Sequence, residues 1–209
     1  MLALRRECPR NDEVGVLSEL IDGGNNMIGR LSVICCLLAI GLGASTQTTK
    51  ELVDRVLLAA PSRLRADATV IGWREDGSRV TLRSGGNGLV CWDQSDEPRK
   101  RTYSSRCTSE ANLPRVDQNR AWNMSGKSQA EIQAMMDEAD NNGTREVSEY
   151  GTVYYSINSD DMDNASIHIT VSVPFATSHS LDVPSERTNA GVWIMGAGTS
   201  RAHLMIPGR

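Results

Sequence analysis

The chain has 209 residues, 23% of them charged, with a formal net charge of −4 and aromatics at only 4%. The acidic balance argues against general binding to a nucleic-acid backbone, which needs clustered Lys and Arg, and so few aromatics leave little for base-stacking platforms. Glycine (18) and proline (7) stay below low-complexity levels, so the length reads as a globular protein.

Residues 1–26 carry an acidic excess, with Glu7, Asp12, Glu13, Glu19 and Asp22 against Arg5, Arg6 and Arg10. They read as an extension from a mis-assigned start, because codons for Gly23-Gly24 can form a ribosome-binding sequence ahead of Met27. A genuine disordered extension is the alternative. Residues 27–44 read as a secretory signal. Arg30 supplies the positive n-region, and the apolar run 31–42 falls well short of the roughly 20 residues of a membrane span. Gly41, Gly43, Ala44 and Ser45 form a small-residue cleavage zone. Cys35-Cys36 lacks the small preceding residue that lipid attachment needs. The expectation is one exported domain over 45–209, secreted or periplasmic, with no stable membrane span once the signal is removed.

Leu52, Val53, Val56, Leu57 and Ala60 recur at helical spacing over 50–60, and Pro61 ends the helix. Residues 68–74 and 79–83 predict strands joined by a hairpin at Glu75-Asp76-Gly77-Ser78. Ser84-Gly85-Gly86-Asn87-Gly88 then turns into a third strand at Leu89–Trp92, giving a three-strand antiparallel meander. That glycine-rich turn lacks the lysine of a phosphate loop and sits between strands. Of five cysteines, Cys8 lies in the extension and Cys35 and Cys36 leave with the signal. Cys91 and Cys107 remain, and two cysteines in an exported chain predict a disulfide. The segment between them is polar, carries the basic run Arg99-Lys100-Arg101, and reads as a solvated loop.

Helices are predicted over 113–126 and 128–139, the second with a capping box of Ser128 and Glu131 and a stop at Asn141-Asn142-Gly143. Strands follow over 151–157, 166–173, 191–195 and 202–206. In 166–173, Ile167, Ile169, Val171 and Val173 alternate with His168, Thr170 and Ser172, so one face is expected to be buried and the other exposed. The pattern predicts an α+β fold: a mainly antiparallel sheet with one or two packed helices, a single small domain and one disulfide.

Strong catalytic motifs are absent from the sequence. Residues 138–149 lie on the twelve-residue calcium-loop pattern, with Glu138, Asp140, Asn142 and Glu149 as candidate ligands. The first position should be Asp, however, and Arg145 stands where an apolar residue belongs. A capped helix end with an acidic turn is the favoured reading, without metal or other cofactor. His203, His179 and Thr199 are the candidates for a histidine-based hydrolase site, although no nucleophile elbow or metal-binding histidine spacing accompanies them.

Ala68-Thr69-Val70-x-x-Trp73, Val80-Thr81-Leu82-Arg83, Asn87-Gly88 and Cys91, together with the close Trp193-x-Met195-x-Ala197-Gly198-Thr199…His203-Leu204-Met205-Ile206-Pro207, resemble an uncharacterised family of exported bacterial proteins. The resemblance covers roughly 60–209. Leu89 stands where relatives usually carry an aromatic. The resemblance implies export and a single domain, supplies no mechanism, and draws attention to His203 and the 196–199 turn. The leading expectation is a non-catalytic domain binding an unidentified ligand or envelope partner. A secreted hydrolase and a calcium-stabilised module are the alternatives.

Overall fold

The computed structural model describes residues 40–187 and 191–206. The readings of 1–26 and of most of 27–44 lie outside them. The chain divides into two units, 1–42 and 43–209, and the account below concerns the second. Its elements in order are α1 (Ile40–Leu57), α2 (Ser62–Arg65), β1 (Thr69–Trp73), β2 (Arg79–Arg83), β3 (Leu89–Asp93) and β4 (Tyr103–Ser109). A 3₁₀ turn (Glu110–Asn112), α3 (Leu113–Asn123) and α4 (Gln129–Asn142) follow, then β5 (Val153–Ser159), β6 (His168–Ser172), α5 (Ser178–Leu181), β7 (Trp193–Met195) and β8 (His203–Ile206).

The strands form one sheet in the order β2-β1-β3-β4-β5-β6-β8-β7, antiparallel throughout except that β1 and β3 run parallel. This is the expected α+β fold, with its disulfide between Cys91 and Cys107. The meander is corrected. After the β1–β2 hairpin the chain crosses the start of β1, and β3 pairs with β1 on the side away from β2. Gly85 makes that crossing. Its backbone N donates to Thr69 Oγ1 at 3.1 Å, and a Cβ there would lie 2.3 Å from the Asp67 carbonyl oxygen, so only glycine passes.

A second correction concerns the segment read as a loop. Residues Tyr103–Ser109 form β4, a central strand between β3 and β5, in register with Cys91 opposite Cys107. Its serines and threonine carry no hydrophobic signature. Their burial is sustained by ladders on both sides and by a polar knot at the strand's end. Thr108 Oγ1 donates to the Val153 carbonyl at 3.0 Å, and Asn112 Nδ2 donates to Thr108 Oγ1 and Thr152 Oγ1 at 3.0 and 2.9 Å.

The two sheet faces differ in cover. On one face α1 packs Val53, Val56 and Leu57 against Val70, Leu89, the disulfide and Ile157. On the other, α3 sets Val116 on Ile71, Val90 and Trp92, with Trp73 and Tyr154 alongside. Helix α4 begins with the expected capping box, Ser128 accepting from the Glu131 amide while the Glu131 carboxylate accepts from Ser128 N. It ends at Gly143 in the left-handed conformation, φ 76°. Thus α4 runs three residues beyond the expected end at Ala139.

Candidate functional site

Alternation places a polar row on the face away from α1. Across β3, β4, β5 and β6 the register sets Trp92, Arg106, Ser156 and His168 opposite one another. The next row of that face holds Tyr154, Thr170 and Met205, and the following one Ser172, His203 and Met195. These side chains floor a cavity of about 440 Å³, a usual size for a small-molecule site. Its roof comes from α3 (Arg115, Val116, Asn119), from Met136 on α4, and from the segments carrying Arg145 and Ser200–Ala202. Of the face expected to meet solvent, His168 is exposed as expected, while Thr170 is half-buried and Ser172 buried, and all three line the cavity. Lys100, expected on a solvated loop, also lines it.

Five cationic side chains, Lys100, Arg106, Arg115, Arg145 and Arg201, line this cavity, and among the described residues no carboxylate does. Several have little to satisfy them. Among the described residues the Arg106 guanidinium makes no hydrogen bond or ion pair, and it lies over the Tyr154 ring, 6.0 Å from its centroid. Arg115 Nη1 donates to the Glu146 carbonyl at 2.5 Å. Arg145 donates to Gln118 Oε1 and, at 2.6 Å, to Asn119 Oδ1, and stacks over Trp122 at 4.6 Å. Among the described residues Arg201 alone of the five is ion-paired, with Asp137 at 2.9 Å, and it also donates to Gln133 Oε1 at 2.7 Å. The Nε groups of Arg106, Arg145 and Arg201 and the Ser200 hydroxyl are buried without a hydrogen-bond partner among the described residues, as is Asp140 Oδ1. Arg145 and Ser200 are 6% and 1% exposed.

Burial and mutual repulsion register in the proton affinities. Burial, then neighbouring Arg115 and Arg201, bring the Arg145 guanidinium down to about 10, against the partial opposition of Asp140 and Tyr154. Burial lowers Arg106 and Arg115 as well. Lys100 is lowered by burial and then by Arg106, and His168 by burial, Arg106 and His203. A protein of net charge −4 has gathered five of its 22 Lys and Arg residues around one cavity. Uncompensated buried cations are costly, and a site that retains them is suited to anions.

The sequence candidates are scattered. His203 lines the cavity, its Nδ1 2.7 Å from the Arg201 carbonyl oxygen. Thr199 lies beside it, but its hydroxyl donates to the Gly196 carbonyl at 2.7 Å and closes the 196–199 turn. His179 is exposed on α5, away from the cavity. No histidine ring hydrogen-bonds a serine hydroxyl among the described residues. Glu138, Asp140 and Asn142 lie on the helical backbone of α4, and Glu149 follows several residues later. Asn142 Oδ1 accepts from Thr144, and the described residues contain no group of three or more His, Cys, Asp or Glu disposed to hold a metal. Sequence reading missed Arg106, Arg115, Arg145 and Arg201. They are spread over nearly a hundred positions, and only the sheet register and the roof bring them together.

The chain matches no protein-family model, no curated protein and no solved structure.

Proposed function

We propose that this is an exported domain that binds a small ligand in the sheet cavity without transforming it. The observation that carries the reading is the set of buried polar atoms lining the cavity without intramolecular partners, Ser200 Oγ and the Nε groups of Arg106, Arg145 and Arg201. A folded chain rarely leaves such groups unsatisfied unless something else supplies acceptors. Export is supported by the Cys91–Cys107 disulfide, which suits an oxidising compartment, and by the resemblance of both ends of the domain to exported bacterial proteins.

Two measurements test it. The full chain, tagged at its C-terminus and expressed in a bacterium with a periplasm, should be recovered from the envelope or medium with a shortened N-terminus. Retention at full length in the cytoplasm would refute export. In a thermal-shift panel of small anionic, neutral and cationic compounds, at least one class should raise the melting temperature of the protein, and Thr170→Trp, which fills the floor, should abolish the rise. A flat panel, or binding that survives Thr170→Trp, would refute the cavity as the site.

A further inference from the structure

Resting on the reading of the cavity as a ligand site, we infer that its ligand is an elongated organic dianion with an acid group at each end. The charge balance sets the valence. Against the five lining cations stand three carboxylates behind them: Asp137 paired with Arg201, Asp140 acting on Arg115 and Arg145, and Glu97 acting on Lys100 and Arg106. Five against three leaves an excess of two. Arg120 borders the same region and pairs with both Asp96 at 2.5 Å and Glu97 at 3.5 Å, and adding Arg120 and Asp96 to the count leaves the excess at two. Two negative charges neutralise the cavity.

The placement of the cations sets the shape. One centre is Arg106 on β4 with Lys100, in the row that ends at His168. The other is the mutually repelling set Arg115, Arg145 and Arg201 beside the unpartnered Ser200 hydroxyl. Ser200 and Arg201 lead directly into His203, which pairs with Ser172. His168 and Ser172 are four residues apart on β6, roughly 13 Å along an extended strand. The row between them presents Tyr154, Thr170 and Met205, with Val116 and Met136 also lining the cavity. Two cationic centres separated by an uncharged span fit one ligand with two separated acids better than one compact dianion. Guanidinium groups take carboxylate and phosphate alike, through paired N–H donors.

Titration calorimetry on the full chain tests this with straight-chain α,ω-dicarboxylates from succinate to sebacate, the monoanion octanoate, the neutral suberamide, and inorganic phosphate. Affinity should rise with dicarboxylate length and exceed that of octanoate by roughly tenfold to a hundredfold, the worth of a second charge-assisted contact. Arg106→Met should fold, since it removes a buried unpaired cation, and should reduce the long dicarboxylates to the affinity of octanoate. Ser200→Ala should weaken both and preserve their ratio. If octanoate binds as tightly as the long dicarboxylates, if phosphate alone binds best, or if Arg106→Met leaves the dicarboxylates unchanged, the two-ended dianion is wrong. Suberamide binding in preference to every anion would also overturn it while leaving the ligand cavity intact. Binding undiminished by Thr170→Trp would instead remove the cavity itself.

Discussion

Cys91 and Cys107 stand directly opposite each other on β3 and β4, so their disulfide joins the two strands that present Trp92 and Arg106 to the cavity. A slip of one residue between these strands would turn Arg106 to the α1 face, because side chains alternate. The bond therefore fixes which face is cationic as well as closing the loop between the cysteines. Replacing both residues by alanine should cost about 3 kcal/mol of unfolding free energy, the chain-entropy value for a loop of this size. Urea denaturation measures it, and a loss below about 1 kcal/mol would show that strand pairing alone holds the register.

Glu97 is buried beside the cavity, its side chain 1% exposed, with Arg120 Nη1 at 3.5 Å and Asn123 Nδ2 donating at 2.8 Å. Arg120 also lies over the Trp73 ring at 4.3 Å. Arg120→Met should destabilise by about 3 kcal/mol or more, because it strands a buried carboxylate. Adding Glu97→Gln should restore much of the loss. Equal stability of the single and double variants in urea would contradict the assignment.

Helix α4 holds the roof through Asp137 and Gln133, which anchor Arg201. Ser128→Ala should cost about 1 kcal/mol by removing its cap. Gly143→Ala should cost a similar amount, because φ of 76° at the C-cap suits glycine. Melting curves of both variants provide the check, and an unchanged midpoint in either would show that α4 is held by packing alone.

His168 gives the cavity a pH signature. Burial, Arg106 on β4 and His203 on β8 hold it below its ordinary 6.5. In the empty protein this favours the neutral ring, so stability at neutral pH is lost as the pH falls through 6.5 toward the lowered value. A bound anion offsets the positive field and raises the His168 affinity for a proton. Anion affinity should therefore rise as the pH falls through the value of His168 in the complex and level off beneath the lower value of the free protein, with proton uptake on binding. Calorimetry in buffers of different ionisation enthalpy detects that uptake. Its persistence in His168→Gln would assign it elsewhere.

Local patterns were legible wherever a residue's neighbours in sequence are also its neighbours in space. The capping box of α4, the hairpin at Asp76-Gly77, the alternation of β6 and the cysteine pair all depend on spacings of a few residues. Strand β4 escaped because Ser104, Ser105 and Thr108 are buried through hydrogen bonding and not through hydrophobicity. The parallel pairing of β1 and β3 escaped because a glycine turn is as compatible with a crossing as with a hairpin. The cavity was the least legible feature. Its arginines sit in unremarkable polar contexts, and a solvent-facing polar phase has the same sequence pattern as one roofed by helices.

Most of the roof is also the connection between two neighbouring strands. Everything from Glu110 to Thr152, including α3, α4 and Arg145, lies in the chain between β4 and β5, which pair side by side. Those strands can zip together only after that long insertion has closed on itself, so the central ladder is non-local and expected to form late in folding. A chain released from a ribosome would carry the β1–β3 region and β4 with an unpaired edge until β5 emerges. Binding at the proposed site would need residues on both sides of that closure, and would report only on molecules that have completed it.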